Sequence, residues 1–123
     1  MTRKHTLTGA IALLIALTLT LPALADGPGA VAWLKAQQNA DGGFGTPESS
    51  PGATADVLLA VAATGDDASA WAVDGKTPLD YLVANVSSLA RAGDTAKVVL
   101  ALVAVGHNPR DVGGVDLIAG LEG

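Results

Sequence analysis

The sequence contains no cysteine. Disulfide stapling, thiolate-ligated zinc, thiol nucleophiles and a lipid-modified cysteine behind a leader are all excluded. Aromatic residues are scarce: two Trp, one Tyr and one Phe in 123 residues, so the core must be built mainly from Ala, Val and Leu. Basic residues are few, seven Lys and Arg against twelve Asp and Glu. A surface of that sign argues against nucleic acid or an anionic membrane as a partner. Many small exported domains lean on disulfides, and this one must rely on its apolar core or on a larger assembly.

The longest apolar run lies at the start. Arg3 and Lys4 form a short positive region, residues 7–21 are mostly apolar, Pro22 breaks the run, and Ala23-Leu24-Ala25 places small residues before Asp26. This order predicts a cleavable signal peptide over residues 1–25, hence export to the periplasm, cell surface or medium, with no stable membrane insertion after cleavage. With Arg3 and Lys4 removed, five basic residues face twelve acidic ones, a net charge of −7. Asp26, where a lipoprotein has cysteine, excludes that class.

Residues 26–123 read as one Ala-rich helical domain. Ala30, Trp33, Leu34 and Gln37 give a first helix over about 29–38, closed by Asp41-Gly42-Gly43-Phe44-Gly45. A loop is expected through Ser50-Pro51-Gly52, then a second helix over about 54–64, apolar all round and stopped by Gly65. A polar loop over 66–76 carries Trp71. Thr77-Pro78-Leu79-Asp80 starts a third helix running to about Ala90. Arg91-Ala92-Gly93 reads as a turn, with Asp94 or Thr95 capping a fourth helix that is again apolar all round and ends at Gly106. A fifth runs from about Val115 to Leu121.

Residues 54–65 align without gaps to residues 95–106, an offset of 41 residues. Asp80-Tyr81-Leu82 and Asp116-Leu117-Ile118 then follow at unequal distances. Self-similarity at this spacing points to stacked helix pairs. Two helices apolar on every side need neighbours all round, which four or five helices can hardly supply. The expectation is about two helix-pair repeats belonging to a longer chain, or a small bundle hiding its apolar helix by self-association.

Trp33-Leu34, Gln38 and Gly42-Gly43-Phe44 resemble the QW-type repeat of squalene and hopene cyclases in order and spacing. Gly29 stands where a basic residue is usual, and Phe44 where Trp is commonest. Gly65, the Trp71 loop and Thr77-Pro78-Leu79-Asp80-Tyr81-Leu82 look like exported bacterial members of the same α/α-toroid superfamily of terpene cyclases and protein prenyltransferases, which also includes cobalamin carriers. The resemblance covers most of residues 27–123. It implies an all-α toroid of helical hairpins, incomplete in this chain, with a cavity at one end of the inner helices. Trp71 and Tyr81 are then candidate cavity aromatics for a small hydrophobic or planar ligand. The motif Trp33, Leu34, Gln38, Asp41, Gly42, Gly43 and Phe44 has a structural reading of its own. A Gln amide can tie two backbone groups, the glycines allow close approach, and Phe44 packs beneath.

No catalytic constellation is complete. Cyclases of this superfamily use Asp-x-Asp-Asp, and Asp66-Asp67 lacks the first acid. Prenyltransferases hold zinc through Asp, Cys and His, and here only His107 follows the leader. Asp66, Asp67 and Asp74 do not have the spacing of an EF-hand. Ser49, Ser50, Ser87 and Ser88 lie in no Gly-x-Ser-x-Gly elbow. Asn85-Val86-Ser87, a formal glycosylation sequon, falls within the expected third helix. No cofactor is indicated. These features favour a non-enzymatic exported module that binds a ligand or another protein. The rival expectations are a cyclase- or prenyltransferase-like enzyme with downstream catalytic residues, and a structural repeat of the cell envelope.

Overall fold

The computed structural model describes residues 27–123, and the expected leader lies outside them. The chain divides into two compact units, residues 1–33 and 34–123. Helix α1 spans Gly27–Ala36. In the second unit follow α2 (Pro51–Ala63), α3 (Pro78–Asn85) with a 3-10 turn at Val86–Ser88, α4 (Ala92–Ala104) and α5 (Leu117–Glu122). The described residues form no strand, and none of their helices is long and apolar enough to cross a membrane. The fold is all-α.

Helix α2 starts earlier than its apolar pattern indicates. Ser50 is the N-cap, its Oγ accepting the Ala53 N–H at 3.1 Å, and Pro51 occupies the first turn. Ser-Pro at residues 50–51 is thus a helix start rather than loop, because proline there sacrifices only an N–H that the helix leaves unused. Helix α4 likewise starts at Ala92 with Arg91 as N-cap, so Arg91-Ala92-Gly93 is not a turn and neither Asp94 nor Thr95 is the cap. Asp94 sits in the first turn, where its charge suits the positive helix end. Thr95 is buried and donates to the Arg91 carbonyl at 3.0 Å, as Thr54 donates to that of Ser50 at 2.8 Å.

Helix α3 carries a full capping box, with Thr77 accepting from the Asp80 N–H while Asp80 accepts from that of Thr77. It ends at Asn85, not near Ala90. Asn85 Nδ2 donates to the Tyr81 carbonyl at 2.8 Å and Ser88 Oγ to the Asn85 carbonyl at 2.7 Å. Such side chains compete with the backbone ladder and shorten helices. Helix α4 closes in a Schellman arrangement: Gly106, at φ +80°, donates to Val103 and His107 to Leu102.

One loop arrangement occurs twice. Val73 and Lys76 form an isolated antiparallel bridge around Asp74-Gly75, as do Val112 and Val115 around Gly113-Gly114. All four central residues have positive φ, the type I′ pattern. Each bridge leads into an N-cap, Thr77 or Asp116, followed by a buried Pro78 or Leu117. Asp116 therefore corresponds to Thr77 and not, as the sequence alignment has it, to Asp80. Helix α5 begins at Leu117, because Val115 is held in the bridge.

The core is the layer between α2 and α4, with α3 against α2 and α5 against α4. Leu58, Val61, Leu82, Val98, Ala101 and Leu102 are its buried centre. Helices α2 and α4 run in parallel. Lys97 Nζ lies 3.1 Å from Asp56 Oδ1, and a Cβ on Gly52 would lie 3.5 Å from Asp94 Oδ1. These are positions about 41 residues apart. Burial is unequal, however. Although α4 is apolar all round, Leu100 is 61 % exposed and Val103 58 %.

Candidate functional site

The segment after α1 is built on Gln38, which is 9 % exposed. Its Nε2 donates to the Gly42 carbonyl at 2.9 Å and to the Trp71 carbonyl at 3.1 Å, and its Oε1 is buried without a partner. The amide thus joins the loop that follows α1 to the loop that follows α2. Phe44 is 2 % exposed and meets the Trp71 ring edge-on at 6.4 Å between centroids. Lys35 Nζ lies 5.8 Å from the centroid of the same ring, a cation–π contact within reach. Leu34 packs against the core. Trp33, the first aromatic of the motif, is 54 % exposed.

The glycines of this loop are forced by proximity. At Gly42, φ +88°, a Cβ would collide with the Thr77 carbonyl oxygen; at Gly43 it would come within 2.7 Å of the Tyr81 ring. The loop therefore lies directly on the start of α3. Asp41 Oδ1 fixes its shape by accepting from the Gly43 N–H at 3.0 Å and from Ser49 Oγ at 2.7 Å.

Sequence patterns alone miss two parts of this network. Asn39 Nδ2 donates to the Gly45 carbonyl and to Ser49 Oγ. Thr54 Oγ1 accepts the Phe44 N–H at 3.0 Å. A hydroxyl recurring as Thr54 and Thr95 in otherwise apolar helices was the available signal for the second. Nothing in local sequence marks the first, whose partners are set by how the loop folds back.

Beside the loop lies an open groove of about 910 Å³, lined by Asp41, Glu48, Lys76, Asp80, Tyr81 and Asn85 among others. Tyr81 is 7 % exposed. Its pKa is raised, first by burial and then by the carboxylates of Asp41 and Glu48. The Asp80 carboxyl is held below the usual range by the N–H and hydroxyl of Thr77. Two of the groove's acids are thus committed to holding backbone turns, and its excess of carboxylates suits a cationic or hydrogen-donating group better than an apolar one. Trp71 does not line this groove, so the two candidate cavity aromatics stand apart.

The remaining titratable candidates act as local caps. Asp67 accepts the Ser69 N–H at 2.8 Å and is lowered by its hydrogen bonds to Ser69. Asp66 accepts from Thr64 at 3.4 Å. Among the described residues no three His, Asp or Glu side chains gather as a metal ligand set. The exposed flank of α4, with Leu100 and Val103, is the other feature able to receive a partner. No protein-family model, curated protein or solved structure matches the chain.

Proposed function

We propose that this chain is an exported, non-enzymatic interaction module of the α/α-toroid kind, which engages another protein by adding a helix to its α2–α4 layer. The carrying observation is a difference between equivalent residues. Leu59 and Ala62 of α2 are half-buried, whereas their counterparts 41 residues on, Leu100 and Val103 of α4, are largely exposed. An apolar helix face left open in an all-helical layer is stabilised by covering it with another helix. The QW-like segment, Gln38 through Phe44, supports the toroid reading, and its side chains are occupied in tying loops together. The apolar stretch before Asp26 supports export.

The test is to express the full chain in a bacterial host with a photo-crosslinking residue in place of Leu100, and to irradiate intact cells. Adducts heavier than the single chain in the exported fraction, absent when the same residue replaces the exposed Asp111, are the expected result. No adduct from position 100 refutes the interaction reading. Retention of the chain in the cytoplasm refutes export.

A further inference from the structure

We infer that the partner at the open face of α4 is a second copy of this chain, stacked head to tail so that α2 of one copy covers α4 of the next. This rests on the interaction reading above and names its occupant. Burial of the two equivalent helices is complementary in detail. On α2, Ala55 and Leu58 are fully buried, while their counterparts Ala96 and Val99 on α4 are half-buried. On α4, Val98 and Ala101 are buried, while their counterparts Val57 and Ala60 on α2 are half-buried and exposed. Each helix thus buries the flank that the other leaves open. Two units of a parallel stack with both ends free give this pattern, because the flank one helix uses to meet its successor is unused on the last helix, and the reverse holds for the first.

The free ends also match in size and charge. Within the chain, Leu59 and Ala62 of α2 meet a flank of α4 that carries Lys97, Ala101 and Ala104. Between copies, the larger Leu100 and Val103 would meet Asp56, Ala60 and Ala63, which lie one turn apart along one side of α2. Asp56 and Lys97 face each other inside the chain at 3.1 Å. They occupy equivalent positions, so continuing the stack sets Lys97 of one copy beside Asp56 of the next. The charges then alternate along the row with no like pair in contact. A two-fold arrangement joining α4 to α4 would instead set Lys97 near Lys97 and leave the flank of α2 unused. The interface is therefore heterologous, and its repetition gives either a closed ring or an open filament.

Two substitutions at exposed positions test this, L100E on the α4 flank and A60R on the α2 flank, in the full exported chain, with circular dichroism confirming unchanged helix content. Native mass spectrometry and sedimentation read the assembly. The wild type is expected to form oligomers and each variant alone to be monomeric. An equimolar mixture of the variants is expected to give a heterodimer and nothing larger, because each retains the flank that the other has lost. If A60R assembles like the wild type, a two-fold α4–α4 contact replaces the head-to-tail one. A monomeric wild type overturns self-stacking. In that case crosslinks from position 100 to a different protein leave the interaction reading standing, and the absence of any crosslink removes both.

Discussion

Replacing Gln38 tests whether its amide holds two loops together or merely fills space. Gln38→Met keeps the volume and removes the Nε2 donor, leaving the carbonyls of Gly42 and Trp71 without their shared partner. A buried acceptor left unsatisfied costs about 1–3 kcal/mol. The Trp71 bond is only part-buried, and the substitution also removes the unpartnered Oε1, which offsets part of the loss. The expected net destabilisation is about 1–3 kcal/mol, a fall in Tm of roughly 5–20 °C for a domain of this size. Gln38→Glu separates the donor from the shape. As a carboxylate it has no proton to give and faces two carbonyl oxygens, so it is worse than Met at neutral pH. Protonated, it regains one donor. The introduced carboxyl therefore has a folded-state pKa above its unfolded value of about 4.3. The stability of this variant relative to Gln38→Met is then greatest below that value and is lost as pH rises through the folded pKa. Urea titrations of the two variants and the wild type at acid and neutral pH measure this directly. A Gln38→Met protein as stable as the wild type, or a Gln38→Glu protein with no such pH dependence, refutes the reading.

Gly42→Ala is expected to be far more damaging than Gly65→Ala in thermal denaturation. Both have positive φ, but an added Cβ at Gly42 meets the Thr77 backbone, while at Gly65 nothing lies within 4 Å and the cost is the conformational one of about 1–2 kcal/mol. Thr77→Ala removes half of the capping box and is expected to cost about 0.5–2 kcal/mol, with the loss reported by hydrogen exchange at the start of α3. Asp67, Asp80 and Asp116 all have lowered pKa values, from hydrogen bonds with Ser69, Thr77 and Ala119 respectively. Their contribution is therefore present above the ordinary aspartate range and lost as pH falls through the folded values. An acid titration followed by circular dichroism should lose its steepness in D80N/D116N, and an unchanged acid limb contradicts this assignment.

Local chemistry made much of this chain legible without coordinates. Thr77-Pro78-x-Asp80 states a capping box in its own residues. Gly65 and Gly106 state helix ends, because positive φ is nearly free only to glycine. The all-α class and the parallel standing of α2 and α4 as equivalents follow from periodicity and the 41-residue offset. Where sequence reading failed, two local signals competed. Ser50-Pro51 serves equally as turn or cap, Asn85 and Ser88 cut α3 short through side-chain hydrogen bonds, and Asp116 copies the role of Thr77 although it looks like Asp80. Tertiary structure alone decided what each apolar face meets. The composition of α2 and α4 is nearly the same, so it could not tell that Ala101 is buried while Leu100 is open. Nor could it show that Gln38 reaches Trp71, 33 residues on, or that Tyr81 and Trp71 stand in separate places. Hydrophobic burial depends on which neighbours arrive rather than on the residue's own preference, and those neighbours come from chain segments that no local pattern relates.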